Sequence, residues 1–135
     1  MTKSEMALEF HKKGFNCAQS VALPFAEMLG LDTVAVAKGM EGFGGGMGGY
    51  NLVCGALSAV VYIEGVINAD GNLDAPSSKR ETYAVCKKLT EDFKAECGSV
   101  FCPEIKGLGG GSVLKSCNDC ILCGVKLIEK SLKEK

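Results

Sequence analysis

The sequence predicts an all-α fold, a bundle of about five helices with a glycine-rich loop ahead of a central buried helix. Three observations carry that expectation. Thr2 with Glu5, and Ser78 with Glu81, have capping-box spacing and are each followed by apolar residues at helical period. Residues 50–67 are apolar nearly all round, the pattern of a helix packed on several sides. No stretch alternates apolar and polar with the period of two that a half-buried strand needs, although the β-branched SAVVYIEGVI keeps a strand alternative open.

In chain order, Met6, Ala7 and Phe10 form a stripe that Gly14 interrupts, so a first short helix ends there. A second is expected from Phe15 to Gly30, with Ala18, Val21, Ala22, Phe25, Met28 and Leu29 at helical spacing and Pro24 kinking it from inside. Asp32 is placed to cap a short third segment, TVAVAKGM, before the glycine cluster. After the central helix, NADGNLDAPSS is a turn-rich connection. Ser78 then opens an amphipathic helix with Tyr83, Cys86, Leu89, Phe93 and Cys97 on one face, and Gly98 is placed to end it. SVFCPEIKGLGGGS reads as a short turn and a flexible loop. A last helix starts at Cys117 and carries lysines towards its C-terminus. With 135 residues, no internal repeat and no linker, residues 1–135 read as one domain, long enough to bury roughly two-thirds of the surface of the unfolded chain.

Composition excludes several function classes. Fifteen basic residues are interleaved with sixteen acidic ones, leaving no basic stripe for a phosphate backbone, so nucleic acid is not expected as a partner. The most apolar window, 52–67, is too short for a comfortable membrane span and contains Glu64. The opening MTKSEMALEFHKKG is charged and periodic, without the apolar run of a secretory signal, and a cytoplasmic location is expected.

Eight cysteines, Cys17, Cys54, Cys86, Cys97, Cys102, Cys117, Cys120 and Cys123, then point to metal binding or thiol chemistry rather than a disulfide scaffold. Cys117, Cys120 and Cys123 copy the first three positions of the bacterial ferredoxin run, but Leu127 stands where the fourth cysteine belongs. On a regular helix Cys117 and Cys123 would lie about 120° apart, which sets them poorly for one metal. Cys97 and Cys102-Pro103 form a second loose ferredoxin-like spacing. Haem attachment is not expected, since Ile121 occupies the histidine position after Cys120. Cys86 reads as a small buried hydrophobe, while Cys97, Cys120 and Cys123 stay open between that role and thiol chemistry. His11, the one histidine, sits beside Lys12 and Lys13 and reads as a solvated surface residue.

Six of the eight residues 42–49 are glycine. Gly44, Gly46 and Gly49 match a dinucleotide fingerprint in spacing, but no strand precedes them, and Tyr50-Asn51 stands where a Walker motif needs Lys and Ser or Thr, so no nucleotide is expected. The glycines let backbone segments approach closely, or expose backbone N–H groups to a thiolate or an inorganic sulfide, and the two roles are compatible.

In that order along the chain, GFNCAQSV, GFGGGMGG, CGALSA, CGSVFCPEI and the cysteine-led last helix resemble the C_GCAxxG_C_C family of redox-active proteins over most of the sequence, from Gly14 to Ile128. Carried over by position, the resemblance implies that Cys17, Cys54, Cys102 and Cys117 are the functional cysteines, with Cys120 or Cys123 as alternatives to Cys117 and with Ala59 replacing the family's glycine. The family is also similar to the iron-sulfur part of split-Soret cytochromes c. This implies a cysteine-ligated iron-sulfur cluster, [2Fe-2S] foremost, for electron transfer or redox sensing with a redox protein partner. A metal-free thiol-disulfide protein is the alternative, a structural zinc module a third reading, and a homodimer is compatible with each.

Overall fold

In the computed structural model, which describes residues 1–108 and 111–134, the protein is all-α: eight helical segments and, among the described residues, no strand. They are α1 (Lys3–Lys12), α2 (Cys17–Ala26), α3 (Thr33–Glu41), α4 (Gly44–Met47), α5 (Gly55–Asn68), α6 (Lys79–Cys97), α7 (Cys102–Lys106) and α8 (Cys117–Lys133). The α4 segment is one distorted turn, and α7 is a short element inside the expected loop, so the principal helices are close in number to those read from the sequence.

The helix starts follow local chemistry. Thr2 and Glu5 form the expected capping box, the Thr2 hydroxyl accepting from the Glu5 N–H at 3.0 Å and the Glu5 carboxylate accepting from the Thr2 N–H at 2.9 Å. A second box, Asn16 with Gln19, opens α2. The Asn16 amide also donates to the Glu41 carbonyl at 2.8 Å, tying the start of α2 to the end of α3. Asp32 caps α3 as expected. The box expected at Ser78 and Glu81 does not form: the Ser78 hydroxyl instead accepts from the Asp70 N–H at 2.9 Å, closing the loop before α6. That loop satisfies its own donors, since Asp70 accepts from Asn72 and Ser77 and Asn72 accepts from Asp74 and Ala75.

Two helix bounds differ from the sequence reading. The second helix passes through Pro24 and ends at Ala26; the turn beyond it closes on Gly30, at φ +70°, where the Leu31 N–H donates to the Ala26 carbonyl at 2.8 Å. The central helix begins at Gly55, not near Tyr50. Residues before it are extended because the Cys54 N–H donates to the Val100 carbonyl at 2.8 Å and the Cys102 N–H donates to the Leu52 carbonyl at 2.7 Å, around an antiparallel bridge between Val53 and Phe101. SAVVYIEGVI is helical, so the strand alternative is set aside.

All ten residues of α2 are buried, and α2 packs on α1, α3, α5 and α8. The α2 and α5 surfaces that meet are rich in small residues: Ala18 and Ala22 on one, Ala56 and Ala59 on the other, all fully buried. Glu64 is also fully buried on α5, where its carboxylate accepts from the Ser131 hydroxyl on α8 and from the Asn68 amide, both at 3.0 Å. On α6, Leu89, Phe93 and Cys97 are buried while Val85 and Cys86 are half-buried and Tyr83 is exposed, so the apolar face engages the bundle mainly in its second half. Among the described residues no helix is long and apolar enough to cross a membrane.

Candidate functional site

The four cysteines singled out by sequence share one structural property: each opens a helix. Cys17 is the first residue of α2, Cys54 the N-cap of α5, Cys102 the first residue of α7 and Cys117 the first residue of α8. The fold gathers these starts. The Cys17 thiol hydrogen-bonds Cys117 and feels the charge of Cys54, and Lys106, one turn beyond Cys102, hydrogen-bonds Cys117 and interacts electrostatically with Cys17 and Cys102. The extended pairing around Val53 and Phe101 holds Cys54 and Cys102 on neighbouring segments.

Glycines make that gathering sterically possible. A Cβ on Gly55 would stand 2.9 Å from the Phe43 carbonyl oxygen and 3.3 Å from the Ala18 nitrogen, so the residue after Cys54 abuts the residue after Cys17. Gly46, at φ +71°, approaches the Leu52 nitrogen so closely that a Cβ would lie 2.6 Å away. Of the two readings of the glycine cluster, close approach of backbone segments is the one these distances describe.

A second line of sulfurs continues from Cys54. The Cys54 thiol interacts with Cys120, Cys120 with Cys97, and Cys97 with Cys123, so the alternatives Cys120 and Cys123 both belong to the thiol cluster, together with Cys97. Cys86 stands apart, its thiol facing the Val61 carbonyl at 3.9 Å. His11 is half-buried rather than solvated, with Nδ1 2.9 Å from the Phe15 carbonyl, and takes no part.

The electrostatics follow from this packing. Burial, then the neighbouring Cys117, pushes Cys17 up to about 12. Cys54 is raised by its hydrogen bond to Cys120 and by burial, against the Ala56 and Leu57 N–H groups at the start of α5, which favour a thiolate. Cys97 accepts from Cys120, which lowers its pKa, but donation to Cys123 and burial outweigh that and carry it to about 12; for Cys120, acceptance from Cys54 is similarly outweighed by donation to Cys97, again giving about 12. Cys123, at the accepting end, is lowered by the Cys97 hydrogen bond. Burial opposes the charge on Lys106, yet the hydrogen bond to Cys117 and the surrounding sulfurs raise its pKa.

These signs give a prediction. Thiols whose folded pKa lies above the ordinary 9.0 stabilise the fold fully below about pH 9 and lose that contribution as pH rises through about 12. The melting temperature of the reduced, metal-free protein is therefore expected to fall steeply across that window, and a flat profile from pH 9 to 12 would contradict the placement of these sulfurs.

The sequence profile described as Putative redox-active protein (C_GCAxxG_C_C) matches residues 15–131. The chain belongs to the C_GCAxxG_C_C family. No curated protein and no solved structure matches it. In this C_GCAxxG_C_C protein no three His, Cys, Asp or Glu side chains among the described residues are arranged around a single metal ion. The sulfurs fall into one pair, Cys17 with Cys117, and one line, Cys54, Cys120, Cys97 and Cys123. Sequence reasoning did not find Lys106, although its position four residues after Cys102 on a helical turn was the available signal. An apolar groove of about 720 Å³, lined by Met40, Phe43, Leu57 and Val61 among others, carries no cysteine.

Proposed function

We propose that this redox-family protein holds an iron-sulfur cluster of the [2Fe-2S] type on Cys17, Cys54, Cys102 and Cys117 and uses it for electron transfer or redox sensing with a protein partner. The observation that supports this reading is the gathering of three helix-opening cysteines, Cys17, Cys102 and Cys117, about Lys106, with the fourth, Cys54, close enough to Cys17 for their charges to interact. Four thiolates bring a large negative charge. The N-terminal ends of α2, α5 and α8 are helices of ten residues or more whose dipoles favour negative charge, and the Lys106 ammonium adds a full positive one. Cysteine thiolates are the ordinary ligands of such clusters, and a two-iron cluster takes them in pairs, whereas a lone zinc ion asks for a closed tetrahedral set.

A bound cluster would supply one-electron chemistry, at a potential set by its hydrogen bonds and burial. The chain's own residues supply the rest. The Ala56 and Leu57 N–H groups face the Cys54 sulfur, Lys106 neutralises charge at Cys117, and the buried α2 and α5 surfaces keep water out. Because Cys17 and Cys54 must lose protons that burial helps to retain, loading is expected to strengthen with rising pH.

The test is iron and acid-labile sulfide analysis with a visible spectrum on anaerobically purified protein. Near-equal iron and sulfide with a charge-transfer band that a reductant bleaches is the expected result; neither iron nor sulfide after attempted reconstitution would overturn the reading.

A further inference from the structure

The cysteines outside the proposed ligand set are arranged as well. Cys97 is the last residue of α6 and is buried; Cys120 and Cys123 lie one helical turn apart on α8, which packs against the end of α6. The Cys97 thiol interacts with both of them across the α6–α8 contact. Cys120 is buried, but Cys123 is half-exposed, so the group has one sulfur in reach of solvent and a partner sulfur directly behind it. That is the arrangement of an attacking and a resolving thiol. Gly98 ends α6 at φ 86°, so Cys97 sits at a helix terminus, where a small rotation can shorten a thiol contact to the roughly 2 Å of a sulfur-sulfur bond.

We infer that Cys97 and Cys123 form an exchange-competent dithiol that is oxidised to an intramolecular disulfide by aliphatic disulfides, in addition to any cofactor chemistry at the helix-opening cysteines. The Cys123 thiolate attacks one sulfur of an external disulfide R–S–S–R. A Cys123–S–S–R bond forms, the R–S–S–R bond breaks, and the first RS⁻ leaves. Cys97 gives up its proton and attacks the Cys123 sulfur. The Cys97–Cys123 bond forms, the Cys123–SR bond breaks, and the second RS⁻ leaves. The two protons end on two RSH, so the protein loses two electrons and the external disulfide gains them. The half-exposed sulfur is already the better nucleophile, since donation from Cys97 favours its thiolate.

The inference does not depend on a cluster and is tested on the full chain without metal. The reduced protein is incubated with glutathione disulfide and, separately, with an oxidised protein bearing a CxxC disulfide; free thiols are alkylated and the peptides mapped by mass. The expected result is a Cys97–Cys123 cross-link with at least one of the two oxidants, and which one reacts assigns the source. Cys97→Ser should stop at the mixed disulfide and retain one glutathione on Cys123, and Cys123→Ser should react at least about tenfold more slowly. Circular dichroism confirms that each variant keeps its helices. Cys97 and Cys123 remaining free under both oxidants, or Cys97→Ser leaving no mixed disulfide on Cys123 while folded, would overturn the inference. Absence of iron from the wild-type protein would leave it standing and overturn only the cluster.

Discussion

Gly55→Val is expected to destabilise the protein by about 3 kcal/mol, lowering the melting temperature by roughly 10 °C. Its Cβ would meet the Phe43 carbonyl oxygen at 2.9 Å, the Ala18 nitrogen at 3.3 Å and the Ala18 Cβ at 3.5 Å. Two of those atoms are backbone, so no rotamer change relieves the contact, and the start of α5 has to move off α2. The neighbouring residues in sequence are Cys54 and Cys17, so the same displacement separates the two sulfurs that the glycine allows together. Gly65, ten residues on in the same helix, gives the control. It has no neighbour within 4 Å of a Cβ, and Gly65→Ala should be neutral or stabilising by up to about 1 kcal/mol, because alanine gives up less backbone entropy than glycine. Thermal melts of the two variants check the pair, and equal losses would mean that helix propensity, not close approach, governs α5.

Cys17→Ala should reduce iron in the reconstituted protein to less than about a tenth of the wild-type content, since a [2Fe-2S] site with one of four thiolates missing is incomplete. The variant also removes the thiol that donates to Cys117 at the start of α8. Its stability should change by only about 1 kcal/mol, because alanine fills most of the same buried space. Cys86→Ala separates ligand loss from any general effect of removing sulfur: Cys86 is half-buried beside the Val61 carbonyl, away from the other seven thiols, and the variant should load fully. Iron-to-protein ratios on both variants decide the matter, and full loading of Cys17→Ala would remove Cys17 from the ligand set.

Much of this architecture was legible from local signals. The Thr2 box, the Asp32 cap and the Gly98 terminus are set by residues within a few positions of one another, and each stands where the sequence placed it. Where tertiary partners compete, local reading failed. Ser78 has the spacing of a cap, but its hydroxyl is taken by the Asp70 N–H from the preceding loop. The apolar run from residue 50 looked helical throughout, but the first residues hydrogen-bond a segment about fifty positions later in the chain. Cys97 and Cys123 illustrate a different limit. Periodicity says which face of its own helix a residue occupies, not which residue on another helix it will meet, so two half-matching ferredoxin spacings gave no hint that their sulfurs would join. Cys17, Cys54, Cys102 and Cys117 were legible only as an ordered set, through family resemblance.

The dominance of α8 in the cluster has a consequence for biosynthesis. Three of the seven clustered sulfurs, Cys117, Cys120 and Cys123, lie on this one helix, which packs against α1, α2, α5 and α6. On a ribosome adding residues one by one, Cys17 and Cys54 leave the exit tunnel well before α8 is made, and the earlier helices wait with their thiols unmatched. The site therefore comes into being in a single late step, when α8 docks. Iron delivery or disulfide exchange before that moment would meet isolated thiols instead of a preassembled centre, so maturation of the site follows the docking of α8.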